Sequence, residues 1–348
     1  MAAIEISNLK KVYTGGKKPA VENLNLTIDG GEFVVLLGPT GAGKTAVLRM
    51  LCGLDPVTEG EIKLNGSVIN DYLPKDRDMA VVFKSIGLYP HLNVYENLAF
   101  GLKMRKVPKA EIDKNVYYVS KLLGIEHLLG KKPKLLTAAD RMKVSFGRAI
   151  VRKSNLILMD DPLSGFDNNL KAQLRNDVLK IYQRIGVNVI YATRDPVEAL
   201  TLADRIVYME EGQVVQIGTP EQLYTDPANV SIALYIGSPK INLVEGKIEK
   251  GEQGNFFVVG DQKIECGKDE CKRCYLAVRA ENVVLDEEGV AACVKSVEKI
   301  SEDKYLIDFT IAGDNKQYVM LSETALSGEI KVGFEGYKYF DAATELPL

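Results

Sequence analysis

The stretch Gly38-Pro-Thr-Gly-Ala-Gly-Lys-Thr45 restricts the folds open to this chain more than any other feature. It matches the pattern G-x4-G-K-[ST] and has the flanks that pattern needs. The continuous apolar run Phe33 to Leu37 precedes it, and the helical stretch Val47 to Leu51 follows. Glycines let successive backbone N–H groups converge, and a helix start adds partial positive charge, so the junction suits a phosphate group. An apolar run without alternation is a strand covered on both faces, which implies a parallel sheet between layers of helix.

From Ile4 to about Gly237 short apolar runs alternate with amphipathic stretches, as in an α/β domain. Leu156 to Met159 is a second run suited to a buried strand. Leu170, Leu174, Val178 and Tyr182 recur every four residues and predict a helix with one apolar face. Beyond Gly237 short segments such as Leu243 to Ile248, Phe256 to Val259, Cys274 to Val278 and Lys304 to Phe309 are separated by Gly, Asp and Glu. That texture predicts a small all-β barrel. Ser238-Pro239 marks the expected boundary, giving domains at 1–237 and 238–348 within the 348 residues.

Net charge is only -3, which gives no nucleic-acid footprint. No apolar run approaches a bilayer span. Met1 to Lys11 reads as a strand, without the basic start and apolar core of a signal peptide. The chain is therefore expected in the cytoplasm, with any membrane association made through partners. Of five cysteines, Cys266, Cys271 and Cys274 are spaced C-x4-C-x2-C. With no histidine nearby they are read as incidental thiols on a surface hairpin rather than a metal site.

A second acidic element accompanies the glycine-rich loop. Asn155-Leu-Ile-Leu-Met-Asp160 is an apolar strand ending in a carboxylate, the usual way to hold magnesium opposite such a loop. Lys44 is expected to reach β- and γ-phosphates, and Thr45 and Asp160 to hold the metal. These elements describe a site for a nucleoside triphosphate with Mg2+.

With both elements placed, the order of motifs resembles the ABC transporter ATPases, most closely those of maltose and glycerol-phosphate importers. The likeness rests on Leu88-Tyr-Pro-His-Leu-Asn-Val-Tyr-Glu-Asn-Leu-Ala-Phe-Gly-Leu102, on Asp161-Pro-Leu-Ser-Gly-Phe-Asp167 and on Val197-Glu-Ala-Leu-Thr-Leu-Ala-Asp-Arg-Ile206. Tyr235-Ile-Gly-Ser-Pro239 and Val278-Arg-Ala-Glu-Asn-Val283 match the entry to, and middle of, the family's regulatory β-domain. The resemblance implies a P-loop NTPase domain of ABC type followed by an OB-like barrel. It implies that the nucleotide is ATP, that Tyr13 stacks on adenine and that Gly38, Pro39, Thr40, Gly41, Ala42, Gly43, Lys44 and Thr45 hold the phosphates. Residues Gly87 to Val94, with apolar Leu88, Tyr89 and Leu92, would receive integral membrane permease subunits. Ser164 and Asp167 would lie at the seam with a second ATPase subunit, whose nucleotide Thr137, Ala138, Ala139 and Asp140 would cap.

Four motifs depart from the family. Lys84 stands for the glutamine that touches magnesium and the attacking water. Asp161 stands for the catalytic glutamate, and Arg194 for the switch histidine. Leu136-Thr-Ala-Ala-Asp140 stands for the signature Leu-Ser-Gly-Gly-Gln. No shift of register restores them: the two histidines are His91 and His127, and no glutamine precedes Gln173. Aspartate is a methylene short of a glutamate base, and small misplacements are costly to catalysis. Lysine has no lone pair for a metal, although it could pair with Asp160 or a γ-oxygen. Arginine cannot shuttle a proton at neutral pH. Asp140 adds negative charge where phosphate is expected. The expectation is an importer subunit that binds ATP and hydrolyses it poorly, beside a more complete paralogue. Its place would be peripheral, on the cytoplasmic face of the membrane. Two alternatives stay open: an active homodimer whose substitutions compensate, and a soluble nucleotide-dependent switch.

Overall fold

The computed structural model describes residues 4–84, 87–251 and 254–348. It divides into two compact units, Met1–Glu221 and Gln222–Leu348.

The first unit is built on a six-stranded sheet ordered Gln213–Gly218, Arg205–Glu210, Phe33–Leu37, Asn188–Thr193, Leu156–Asp160, Met79–Phe83. The last five strands are parallel, and Gln213–Gly218 closes the edge as an antiparallel hairpin. All five residues of Phe33–Leu37 are buried, as their unbroken apolar character predicted. A second, antiparallel sheet runs Val21–Ile28, Ile4–Lys11, Glu59–Leu64, Ser67–Val68. Its inward residues Ile4, Ile6, Leu24 and Leu26 pack with Val47, Leu48 and Leu51 of the helix that follows the phosphate loop.

The helix Asn168–Ile185 is present, but its buried face is Leu174, Val178 and Ile181. A strict spacing of four drifts around a helix of 3.6 residues per turn, so Leu170 leaves the face, while Tyr182 stays at its margin with its ring edge-on to Phe33, 5.0 Å between centroids. Tyr182 ends half-exposed, with its hydroxyl donating to Asp204 at 2.7 Å.

The second unit is an OB-like domain of two antiparallel sheets, of five and four strands. They share one core, in which Val244, Phe257 and Leu276 of one meet Ile307, Phe309 and Val332 of the other. Cys266 and Cys274 lie in that core, so these are packing residues and not surface thiols. Among the described residues no group of three or more His, Cys, Asp or Glu side chains is placed to hold a metal ion.

The division falls ahead of Ser238-Pro239 because Arg279 fastens the intervening segment to the barrel. This arginine is 5% exposed. Its guanidinium donates to the carbonyls of Ile236 at 2.5 Å, Ala233 at 3.2 Å and Tyr224 at 2.9 Å, and stacks 4.1 Å from the Tyr224 ring centre. Two of those carbonyls are at the end of the helix Val230–Tyr235, where backbone oxygens lack partners within the helix. Burial pushes the guanidinium pKa down. An arginine nevertheless stays charged, so its donors are indispensable there. Arg279→Met keeps the volume and strips the donors. It should lower stability by about 3 kcal/mol in urea unfolding, the cost of stranding buried carbonyls.

Candidate nucleotide site

Strand register assembles the site. Leu37 pairs with Thr193, Asp160 with Ala192, and Phe83 with Asp160. The residues that follow these strands (Gly38, Lys84, Asp161 and Arg194) therefore emerge at one edge, at the carboxyl ends of parallel strands where α/β sheets take their ligands. Lys84, Asp161 and Arg194 line, with Tyr13, Ala20, Asp160, Ala192 and residues 40–46, a cavity of about 500 Å³, whereas Gly38 and Pro39 stand outside its lining.

The loop's glycines are sterically required at two points. A Cβ on Gly38 would sit 2.0 Å from the Met209 carbonyl oxygen, and one on Gly43, at φ 96°, would sit 2.3 Å from that of Ala20. Gly43 caps the helix Lys44–Leu51, whose first residues are the two with expected phosphate and metal roles. The Lys44 ammonium donates to the carbonyls of Gly38 at 2.7 Å and Pro39 at 2.8 Å. Burial lowers its pKa, opposed by the charges of Asp161 and Asp160. Thr45 Oγ1 donates to Asp160 Oδ1 at 3.0 Å. Burial raises the Asp160 pKa, and the Thr45 hydrogen bond pulls it back. A hydroxyl and a carboxylate side by side form the hard oxygen pair that magnesium takes from a protein when phosphates and water supply the rest.

Lys84 lies 3.4 Å from Asp161 Oδ2 and not in a bond with Asp160, the partner the sequence suggested. The reason is conformational. Asp161 has φ 47°, a left-handed backbone seldom used by residues other than glycine. Its N–H donates to Ala192 O at 2.8 Å and its carbonyl accepts from Ser164 Oγ at 2.9 Å. That arrangement turns its carboxylate toward the end of the neighbouring strand, where Lys84 begins. Asp160, meanwhile, is engaged by Thr45.

Tyr13 lines the same cavity, 43% exposed. Thr137, Ala138, Ala139 and Asp140 do not line it. They form the start of the helix Ala138–Ile150, closed by a reciprocal cap: Asp140 N–H donates to Thr137 Oγ1 at 3.1 Å, and Thr137 donates through Oγ1 at 2.7 Å and N–H at 3.3 Å to Asp140 Oδ2. Asp140 thus occupies the anion position of its own helix terminus.

The expected docking segment borders a separate cleft of about 880 Å³. Gly87 and Tyr89 line it, but the apolar walls are Phe83, Phe100 and Met104, flanked by Arg105, Arg148 and Arg152. Leu88 is partly buried against the core that includes Leu98 and Val116 and does not line the cleft. Buried Asn97 holds the segment, accepting from Tyr89 N–H at 2.8 Å and donating to the carbonyls of Tyr89, Leu92 and Asn93. Arg105 ends the helix Val94–Met104, whereas Arg148 and Arg152 lie in and just after the helix Ala138–Ile150, with Arg148 61 residues beyond Gly87, and no local pattern announces these two.

Lys44 is the cation closest in kind to a phosphate ligand, because its present partners are neutral carbonyls that an anion can displace. Lys44→Ala should weaken ATP binding at least about ten-fold, as expected for loss of charge-assisted bonds. Unchanged affinity by calorimetry would remove this cavity as the nucleotide site.

Residues 21–164 match the family described as ABC transporter. An oligosaccharides import ATP-binding protein, MsmX of Bacillus subtilis, is 47% identical over 72% of this chain and 68% of its own length. An sn-glycerol-3-phosphate import ATP-binding protein, UgpC of Bordetella avium, is 38% identical over 87% of this chain and 85% of its own. Among solved structures, cbiO1 of Clostridium perfringens, part of the ABC transporter complex cbiONQ, matches with a TM-score of 0.60 at 26% identity. That match covers 64% of this chain and 90% of cbiO1. With the phosphate loop, the acidic strand end and these likenesses together, the chain belongs to the ABC transporter ATP-binding proteins.

Proposed function

We propose that this chain is the ATP-binding subunit of an importer for a carbohydrate or polyol phosphate, and that it binds ATP well but hydrolyses it poorly. The names of MsmX and UgpC support the solute class. The slow chemistry is supported by one observation above all: the Asp161 carboxylate is engaged by Lys84 at 3.4 Å. A general base needs a free acceptor within reach of its water, and this one is both short and paired with a cation.

In this reading the backbone N–H groups of residues 40–45 cradle the triphosphate, and Lys44 leaves the Gly38 and Pro39 carbonyls for phosphate oxygens. Thr45 and Asp160 hold Mg2+, which neutralises phosphate charge when bound. Lys84 and Arg194 add positive charge at the edge where the family has a glutamine and a histidine. Both favour retention of an anion, and neither accepts a proton from water. Across a dimer seam Thr137 to Asp140 would face the second subunit's nucleotide, where Asp140 repels phosphate unless its cap opens. A partner with its own glutamate, glutamine and histidine supplies the turnover, and the cleft beside Tyr89 receives the membrane subunits. Among the described residues no helix is long and apolar enough to cross a membrane itself.

The rival reading is a homodimer in which Lys84 and Arg194 stabilise the transition state as arginine fingers do. The isolated protein should turn over ATP far below an ordinary rate of about 10 per second. A normal rate abolished by Lys44→Ala would favour the rival. So would a purified transporter holding two copies of this chain and still driving uptake.

Magnesium gives a second test. Lys84 places a cation where a neutral ligand normally helps hold the metal, so ATP affinity should fall only slightly on chelation. In Lys84→Gln the loss on chelation should be several-fold larger. Equal losses in calorimetry with and without chelator would make Lys84 a bystander.

A further inference from the structure

Tyr13 is an exposed ring held in place by buried charges. Its hydroxyl donates to Asp55 Oδ2 at 2.6 Å. Asp55, only 9% exposed, is clamped from its other side by Arg49, with Nε donating to Oδ2 at 2.9 Å and Nη2 to Oδ1 at 2.8 Å. Over the ring stands the Lys11 ammonium, 5.0 Å from the centroid. Lys11 is 6% exposed and anchored to the Pro56 carbonyl at 2.6 Å. An exposed tyrosine ordinarily leaves its hydroxyl to water and its ring free to turn. Here the Asp55 carboxylate and the Lys11 ammonium, both largely withdrawn from solvent, and the partly exposed Arg49 guanidinium converge on a side chain that covers no core.

We propose that Asp55, clamped by Arg49, is the positioning residue that fixes the Tyr13 ring as a platform for the nucleobase; this rests on the reading of the cavity as an ATP site. A ring tied at its hydroxyl and covered on one face by Lys11 has lost its rotamer freedom before a base arrives. Stacking on the other face then costs no further ordering. The arrangement also links both ends of the ligand through one element. The helix Lys44–Leu51 starts with Lys44 and Thr45 at the phosphates and carries Arg49 in its last turn. Arg49 further ties the next loop through its carbonyl, which accepts from Asp55 N–H at 3.2 Å. Asp55 is no catalytic residue, since it bonds the Tyr13 hydroxyl and Arg49 and acts on the base only through the ring.

The experiment is calorimetry on the full chain with two probes, ATP and inorganic tripolyphosphate, which lacks a base. Wild type, Asp55→Ala, Tyr13→Phe and the double variant are compared. Each single variant should weaken ATP about five-fold, the scale of one hydrogen bond. The double variant should weaken it no further, because the two residues act as one unit. Tripolyphosphate affinity should stay at the wild-type value throughout. Unchanged ATP affinity, equal losses for both probes, or additive losses in the double variant would each overturn the proposal. If Asp55→Ala does not fold, Tyr13→Phe removes a single oxygen from an exposed ring and decides the matter by the same two probes. Wild-type protein that binds neither probe would instead take down the ATP site itself, a different pattern from any of these.

Discussion

Backbone hydrogen bonds between Phe33–Leu37, Asn188–Thr193, Leu156–Asp160 and Met79–Phe83 bring four distant parts of the chain to one edge, and the site depends on that ladder. Gly38, Lys84, Asp161 and Arg194 are each the first residue past a strand. Their common address follows from register alone. A slip of one residue in any strand would turn its side chains to the opposite face and withdraw one member from the cavity. The buried faces of Phe33–Leu37 and Asn188–Thr193 make such a slip costly, because every residue in both strands is enclosed. Core packing thus underwrites the placement of charges that contribute nothing to the core.

Within the cavity, donors aimed at phosphate already have acceptors from the chain itself. Lys44 rests on two carbonyls, Lys84 on Asp161, and Thr45 on Asp160. At the signature helix, Asp140 fills the anion position of the terminus it helps to form. Carbonyls are weak competitors for an ammonium group and a triphosphate displaces them readily. Carboxylates are stronger ones. In the proposed reading the same geometry favours binding at the loop and resists assembly of the catalytic arrangement at Asp161 and at the signature. Lys84, Asp161 and Asp140, far apart along the chain, are alike in that each is held by a hydrogen bond or ion pair within the chain.

The second unit shows how a single buried charge can move a boundary. Proline after serine is a reasonable place to divide a chain, and composition does change there. Arg279 nevertheless reaches back to the carbonyls of Tyr224, Ala233 and Ile236, so the preceding helix packs as part of the barrel. The residues involved span more than fifty positions, and nothing in the local pattern around Tyr224 signals an arginine partner. The cysteines of this unit likewise have surroundings that local pattern does not announce. Their spacing is a property of the chain, whereas the burial of Cys266 and Cys274 is a property of two sheets closing on each other.

Local chemistry sufficed for whatever is contiguous. The phosphate loop, the apolar strand ending at Asp160 and the altered signature were legible because each lies within a dozen residues, and the change to β-rich texture beyond Gly237 because each of its short segments has its own periodicity. Pairings between segments were not legible, since side-chain partners are chosen by where backbones meet in space. The tertiary structure alone decided that Lys84 faces Asp161, that Arg148 and not Leu88 walls the second cleft, and that Asp55 holds Tyr13. Chain order constrains a residue's neighbours along the helix or strand; the twist and register of the sheet determine which charges end up within hydrogen-bond reach.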